Sequence, residues 1–151
     1  MKKVLTLCVV HTAGQILLGM KKKGFGAGRW NGFGGKVEAG ETIEAAAKRE
    51  TFEEVGLVAE QLDPFGVLEF SFQQNNETLE VHVFRVLAYR GQPQESDEMA
   101  PRWFALNEIP FDKMWADDWY GLPLLLAGKK FRGSFLFSSD DELIETSLIE
   151  N

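Results

Sequence analysis

Short apolar runs separated by small polar segments dominate the chain, a pattern typical of strands joined in hairpins. Residues 4–10 and 16–22 flank a Thr-Ala-Gly turn, and residues 67–73 and 79–89 flank a Gln-Asn-Asn-Glu segment. A last pair of runs flanks residues 138–141. The predicted strands are 4–10, 16–22, 67–73, 79–89, 102–106, 131–137 and 143–148.

Two segments have a helical pattern. Residues 42–55 are rich in Ala, Glu and Lys, with Thr42 as a candidate N-cap and Gly56 as the stop. Residues 118–127 form the second predicted helix, although a glycine and a proline lie near its start. Six of the fifteen glycines fall in residues 24–35, where we expect irregular backbone. Two helices among hairpins predict an α+β fold with a mixed, mainly antiparallel sheet.

Composition favours one folded domain over residues 1–151, because 44% of the residues are hydrophobic and 26% are charged. The apolar run at residues 122–127 is far shorter than the roughly 20 residues that span a bilayer, so we expect no membrane partner. We find no signal peptide. The single cysteine, Cys8, cannot form an internal disulfide. We therefore expect a cytoplasmic protein, and a monomer.

The charge distribution favours a small anionic ligand. A net charge of −7 argues against a nucleic-acid polymer as partner, because such binding requires a cationic surface. Residues 1–37, however, contain no Asp or Glu. The cations concentrated in this segment include Lys21, Lys22, Lys23, Arg29 and Lys36.

The helix at residues 42–55 carries a cluster of acids on its apolar face. Glu50, Glu53 and Glu54 have the i, i+3, i+4 spacing that places them on one side, which is also the side of Ala46 and Ala47. Such carboxylates repel one another unless a cation balances them, and clustered hard oxygen ligands suit Mg²⁺ or Mn²⁺. The alternative is a solvated acidic helix end. Acids in a last helical turn oppose the helix dipole, which favours the functional interpretation.

The spacing around this helix resembles the Nudix box, G-x5-E-x7-R-E-U-x-E-E-x-G-U, in which U is aliphatic. Residues 35–57 contain every fixed residue of that pattern, beginning at Gly35 and Glu41. Thr51, which stands at the first U position, is the one departure.

The resemblance implies an α/β/α sandwich with a loop–helix–loop that holds divalent metal. The implied metal ligands are Glu50, Glu53, Glu54, the Gly34 carbonyl and, from a later loop, Glu98. Arg49 is expected to orient a glutamate and Glu41 to brace the loop. Glu54 is the expected principal ligand and a candidate base for activating the attacking water.

Other segments resemble the MutT-homologue class of this family. They are residues 21–36, 81–84, 95–99 and 115–118. The resemblance implies Mg²⁺-dependent hydrolysis of oxidised purine nucleoside triphosphates, such as 8-oxo-dGTP and 2-hydroxy-dATP, to the monophosphate and pyrophosphate. Leu79 and Gly121 stand where we expect Met and Trp in the animal enzymes of this class, and both border the expected base pocket.

The expected pocket is suited to a purine. Trp115 can stack on a base, while adjacent Asp117 and Asp118 offer a donor and an acceptor if one stays protonated. Alternatively, one of these two acids caps the following helix. Asn31 is a candidate contact to a base edge, or alternatively a turn residue. Phe25 and Phe70 are candidate pocket walls, or alternatively core residues. The remaining candidate substrate contacts are Thr6, Lys21, Phe33, Gly34, Gly35, Lys36 and Leu79.

Two other functions stay open at this point. One is a Nudix hydrolase for a dinucleoside polyphosphate or ADP-ribose. The other is a non-catalytic nucleotide-binding module, although such a module usually lacks one or more of the box glutamates.

Overall fold

The computed structural model describes residues 2–151, which form eight strands and two α-helices. The strands are β1 (Lys2–His11), β2 (Gln15–Lys21), β3 (Trp30–Asn31), β4 (Val58–Phe72), β5 (Thr78–Arg90), β6 (Met99–Ala105), β7 (Phe131–Phe137) and β8 (Leu143–Glu150). The helices are α1 (Ile43–Val55) and α2 (Asp118–Leu126). Short 3-10 turns at Leu106–Glu108 and Phe111–Lys113 lead into α2.

The strands form a mixed sheet in the order β3-β2-β1-β5-β4-β7-β8, with β6 paired to β2. The β1–β5 and β4–β7 pairs are parallel, and the other pairs are antiparallel. The three predicted hairpins are present as β1–β2, β4–β5 and β7–β8. The prediction of a mixed, mainly antiparallel sheet is confirmed.

The two helices lie against opposite faces of the sheet. Alternate residues of β1 enter two cores: Val9 packs in the core that contains Leu122 and Leu125 of α2. Cys8 and Val10 pack in the core that contains Val55 of α1. Side chains of a strand alternate between faces, so this division establishes the α/β/α sandwich.

Helix α1 has the predicted limits. The Thr42 side chain accepts a hydrogen bond from the Ala45 N–H at 3.1 Å, and Gly56 ends the helix with a φ of 75°. A left-handed residue at this position favours glycine. Thr51, the departure from the family pattern, is fully buried, and its hydroxyl donates to the Ala47 carbonyl at 2.8 Å. The departure therefore leaves no polar group unpaired.

The predicted start of β4 was wrong, and β3 was not predicted. β4 begins at Val58, nine residues before the predicted start at residue 67, and its first half contains register shifts around Gln61 and Pro64. These irregularities break the two-residue alternation that would have marked the strand. Trp30 and Asn31 form a short strand inside the glycine-rich segment, where only irregular backbone was expected. No helix within residues 2–151 is long and apolar enough to cross a membrane.

Candidate active site

The glycine-rich segment that precedes α1 lies directly against β1. The Cys8 and Phe33 backbones exchange hydrogen bonds, and the Thr6 N–H donates to the Gly35 carbonyl at 2.9 Å. A Cβ atom at Gly34 would overlap the Thr6 carbonyl oxygen. Only glycine therefore allows this approach, which fixes the loop beside the end of α1.

Glu54 is a buried carboxylate at the centre of the site. The residue is only 3% exposed, and its Oε1 accepts a hydrogen bond from the Gly34 N–H at 2.9 Å. Burial raises the pKa of Glu54 to about 8, in opposition to the Gly34 hydrogen bond. The described part of the chain gives this carboxylate no salt-bridge partner.

Glu50 and Glu53 lie one turn apart beside Glu54. The Glu50 carboxyl approaches Gly35 so closely that a Cβ there would lie 2.6 Å from it. Burial raises the pKa of Glu50, and the neighbouring Glu53 and Glu98 charges act in the same direction. Glu53 is half exposed at its side chain. Glu50 therefore points inward with Glu54, whereas Glu53 lies at the rim.

Arg49 connects these acids to the loop. Its Nη1 donates to Glu50 Oε1 at 2.9 Å and to Glu53 Oε1 at 2.7 Å. Its Nε and Nη2 bind the two oxygens of Glu41 at 2.6 and 3.0 Å, and Nη2 also donates to the Lys36 carbonyl at 3.1 Å. The Arg49 hydrogen bonds lower the pKa of Glu41 to about 2. Through Arg49, Glu41 is thus connected to the Lys36 carbonyl and to both Glu50 and Glu53.

Glu98 lies on an exposed loop that is hydrogen-bonded to the C-terminal end of α1. The Ser96 hydroxyl donates to the Glu54 carbonyl at 2.7 Å and accepts from the Glu98 N–H at 3.2 Å. The negative charge of Glu98 contributes to the raised pKa of Glu54 and of Glu50, so it acts on both of the inward acids.

Within residues 2–151, no three acidic, histidine or cysteine side chains form a closed metal-ligand set. Arg49 is part of the reason that no such set forms, because it binds one oxygen of Glu50 and one oxygen of Glu53. These acids therefore lie close together, but they accept hydrogen bonds from protein groups.

An open cavity of about 870 Å³, a volume that includes its mouth, extends from Glu54 to the start of α2. Most of the predicted contacts line it. These are Thr6, Lys21, Phe25, Asn31, Gly34, Gly35, Phe70, Leu79, Trp115, Asp117 and Asp118. One cavity thus joins the acidic end of α1 to the predicted base pocket.

Two predicted substrate contacts are not among the lining residues. The Phe33 side chain is completely buried in the core beneath α1, because its backbone bridge to Cys8 points the ring away from the cavity. Lys36 is exposed, and its carbonyl is the acceptor for Arg49. Neither side chain contributes to the cavity wall.

Several lining residues were missed from the sequence. They are Leu5, Leu7, Gly32, Phe72, Val81, Met99 and Phe137. The two-residue period of strands could have identified some of them. Phe72 shares a face of β4 with the predicted Phe70, and Val81 shares a face of β5 with the predicted Leu79.

Aromatic rings and two acids build the far end of the cavity. Trp115 stacks on Phe25 at 5.1 Å between centroids and meets the edge of Phe137 at 5.4 Å. Asp117 precedes α2, but its side chain makes no capping hydrogen bond, so the capping alternative fails for this residue. Burial raises the pKa of Asp117 to about 7, and burial together with the Asp117 charge raises that of Asp118.

Comparisons with known proteins agree with this architecture. The NUDIX domain profile matches residues 1–125. The oxidized purine nucleoside triphosphate hydrolase of zebrafish, Danio rerio, is 53% identical over 148 residues, covering 98% of this chain and 95% of the relative. The mouse enzyme of the same name is 51% identical over 148 residues, with the same coverage.

Among solved structures, the MutT protein from Bacillus halodurans superposes with a TM-score of 0.86. It is 27% identical, and the match covers 97% of both chains. Domain profile, relatives and fold agree, and the chain belongs to the Nudix hydrolase family.

Proposed function

We propose that this enzyme hydrolyses oxidised purine nucleoside triphosphates, such as 8-oxo-dGTP and 2-hydroxy-dATP, to the monophosphate and pyrophosphate in the presence of Mg²⁺. The observation that carries the proposal is the single cavity lined by Glu54 at one end and by Trp115, Asp117 and Asp118 at the other. A base held at the aromatic end directs its phosphates toward the acids of α1.

The donor set fits a divalent cation. Glu50 and Glu54 are desolvated carboxylates with raised pKa values, and the nearby Glu98 charge adds to the repulsion. Hard oxygen donors concentrated in this way favour Mg²⁺, with Mn²⁺ as a substitute. Residues proposed to hold it are Glu50, Glu53, Glu54, Glu98 and the Gly34 carbonyl. When bound, Mg²⁺ neutralises the triphosphate chain and lowers the pKa of the attacking water.

The protein residues position the reacting groups. Arg49 Nη1 binds one oxygen of Glu50 and one of Glu53, and the Gly34 N–H binds one oxygen of Glu54, so each carboxylate keeps its second oxygen for a cation. Glu54 is the candidate base that receives the proton of the attacking water. Lys21 lines the same cavity and supplies a positive charge for the phosphates.

Asp117 and Asp118 provide the proposed base recognition. A protonated carboxyl donates a hydrogen bond and a carboxylate only accepts, so two adjacent buried acids with raised pKa values can match different base edges. Oxidised guanine and oxidised adenine present different donors and acceptors, which one adaptable pair accommodates. Leu79 forms part of the cavity wall, whereas Gly121 lies in α2 and outside that wall.

The relatives support this substrate class, because both vertebrate enzymes are named for oxidised purine nucleoside triphosphates. A nucleotide panel tests it against the other Nudix activities. We expect turnover of 8-oxo-dGTP and 2-hydroxy-dATP with release of pyrophosphate, and much weaker turnover of a dinucleoside polyphosphate or ADP-ribose. Preferred hydrolysis of either latter compound would overturn the assignment, and metal-dependent turnover of none would favour a binding module.

We further propose that the enzyme acts as a monomer in the cytosol. The buried thiol of Cys8, which forms no disulfide, suits a reducing compartment. Light scattering after size-exclusion chromatography tests the monomer, and imaging of a tagged chain tests the location.

A further inference from the structure

Arg29 contacts the proposed base-stacking residue from outside the cavity wall. Its Cζ lies 4.0 Å from the centroid of a Trp115 ring, which is a cation–π distance. Trp115 lines the cavity, whereas Arg29 is not among the lining residues. Any influence of Arg29 on a bound base therefore passes through the indole.

The guanidinium is also held from the β7–β8 hairpin. Arg29 Nη2 lies 3.5 Å from Asp141 Oδ2, and both side chains are about two-thirds buried. Asp141 has a φ of 61°, the one positive value at a non-glycine position in residues 2–151. Such a conformation persists only where the surrounding structure stabilises it, and strained positions concentrate at functional sites.

The Ser138 side chain stabilises this turn. Its Oγ accepts hydrogen bonds from the Asp140 and Glu142 N–H groups at 3.2 and 3.1 Å. The turn therefore presents Asp141 to Arg29 from a fixed backbone.

The Arg29 backbone is tied to two cavity residues as well. Its carbonyl accepts from the Lys21 N–H at 3.1 Å and from Asn31 Nδ2 at 3.1 Å. The main chain and the side chain of Arg29 thus both contact residues of the proposed substrate site. A surface ion pair alone would contribute little, but here the pair fixes a group that packs on the indole.

We propose that Arg29 is a positioning residue for base recognition: its guanidinium, oriented by Asp141, holds the Trp115 indole in the orientation that stacks on the purine. The inference rests on the proposed function, because it requires a purine in this cavity. It assigns the C-terminal hairpin, through Asp141, a part in substrate binding.

The first test is Arg29→Met, which keeps the length of the side chain and removes the cation. We expect the KM for 8-oxo-dGTP and 2-hydroxy-dATP to rise roughly three- to thirty-fold, the range of a cation–π contact, with kcat changed less than about twofold. Arg29→Lys should recover part of the loss. Arg102→Met is the matched control, since it removes a cation 4.9 Å from the Phe104 ring, outside the cavity wall.

The second test asks whether the effect passes through the indole. In a Trp115→Ala background, Arg29→Met should raise KM no further. Asp141→Asn should raise KM in the same direction by a smaller factor, because Asn tolerates the left-handed backbone but carries no charge. Additive effects of the Arg29 and Trp115 substitutions would overturn the inference.

The outcomes separate the two proposals. A wild-type enzyme without preference for oxidised over unoxidised purines would overturn the proposed function, and with it the role of Arg29. A selective wild type whose KM is unchanged in Arg29→Met would overturn the role of Arg29 alone. So would a KM rise of equal size in Arg102→Met.

Discussion

The Glu54 carboxylate accepts a hydrogen bond from the Gly34 backbone N–H across 2.9 Å, although twenty positions separate the two residues. The bond joins the end of α1 to the glycine-rich loop at the place where the loop contacts β1. Within residues 2–151, it is the one hydrogen bond that the buried Glu54 carboxylate accepts. Both residues can therefore be tested by substitutions with distinct expected results.

Glu54→Gln should remove activity and keep the fold. The amide oxygen still accepts from the Gly34 N–H, but the neutral group neither binds Mg²⁺ strongly nor receives a proton. We expect kcat with Mg²⁺ to fall roughly a hundred- to ten-thousandfold. The thermal midpoint should stay or rise, because a buried ionisable group next to Glu50 is replaced by a neutral amide.

Glu44→Gln is the control for Glu54→Gln, since Glu44 lies exposed in the first turn of the same helix. It should leave kcat near the wild-type value. Near wild-type activity of Glu54→Gln with Mg²⁺ present would show that the assigned mechanism is wrong.

Gly34→Ala should destabilise the protein. The added methyl group overlaps the Thr6 carbonyl oxygen, which is backbone and cannot move alone. Overpacking of this kind costs about 1–3 kcal/mol, or a lowering of Tm by roughly 2–4 °C for each kcal/mol.

Gly14→Ala provides the comparison for this prediction. A Cβ at Gly14 meets nothing within 4 Å, and the residue lies outside the positive-φ region. Its Tm, measured by differential scanning calorimetry, should stay close to that of the wild type. Equal Tm values for Gly34→Ala and the wild type would contradict the close approach of loop and strand.

Helix α1 was predictable because the residues that determine it are local in the sequence. Thr42, Gly56 and the i, i+3, i+4 acids are read directly from the sequence, and the structure has the expected limits. The first half of β4 was not predictable in this way. Its pairing with β5 tolerates Pro64 and several register shifts, which only the partner strand makes evident.

Arg49→Lys should raise the Mg²⁺ concentration that activity requires. A single ammonium group cannot replace the five hydrogen bonds that Arg49 makes to Glu41, Glu50, Glu53 and the Lys36 carbonyl. Groups that orient metal ligands typically contribute ten- to hundredfold in metal affinity, so we expect the half-saturating Mg²⁺ concentration to rise by about that factor.

A magnesium titration of initial rates measures this change. Arg90→Lys is the control, because Arg90 forms an exposed ion pair with Glu60 on the sheet. An unchanged Mg²⁺ requirement in Arg49→Lys would contradict the role assigned to Arg49.

Asp117→Asn should damage base selection while sparing the hydrolysis of the triphosphate itself. The amide keeps the shape of the side chain but cannot change protonation state. We expect the ratio of kcat/KM for 8-oxo-dGTP over dGTP to fall, with a smaller change in the value for dGTP. Equal losses for both substrates would count against the pocket assignment.

The same substitution should change the pH dependence of stability. The pKa of Asp117 is raised from 3.8 to about 7 in the folded state, so its contribution to stability is complete below pH ~4 and is lost as the pH rises through about 7. The Tm difference between Asp117→Asn and the wild type should therefore shift in favour of the variant from pH ~4 to pH ~7. A constant difference, measured by calorimetry across that range, would contradict the raised pKa.

The residues of the site that belong to a motif could be predicted from the sequence. Residues whose position depends on packing were less predictable. Phe33 belongs to the glycine-rich segment, yet its ring lies in the core, because the backbone bridge to Cys8 sets the direction of the side chain. Met99 and Phe137 line the cavity from strands far apart in the chain. Their contribution depends on the sheet order, which local sequence does not encode.

The most direct measurement is kcat/KM for 8-oxo-dGTP, 2-hydroxy-dATP, dGTP and dATP, made side by side with Mg²⁺. The values for both oxidised nucleotides should exceed those of their unoxidised counterparts by at least about tenfold, the effect of one well-placed hydrogen bond to a base edge. Equal values for oxidised and unoxidised purines would contradict the account.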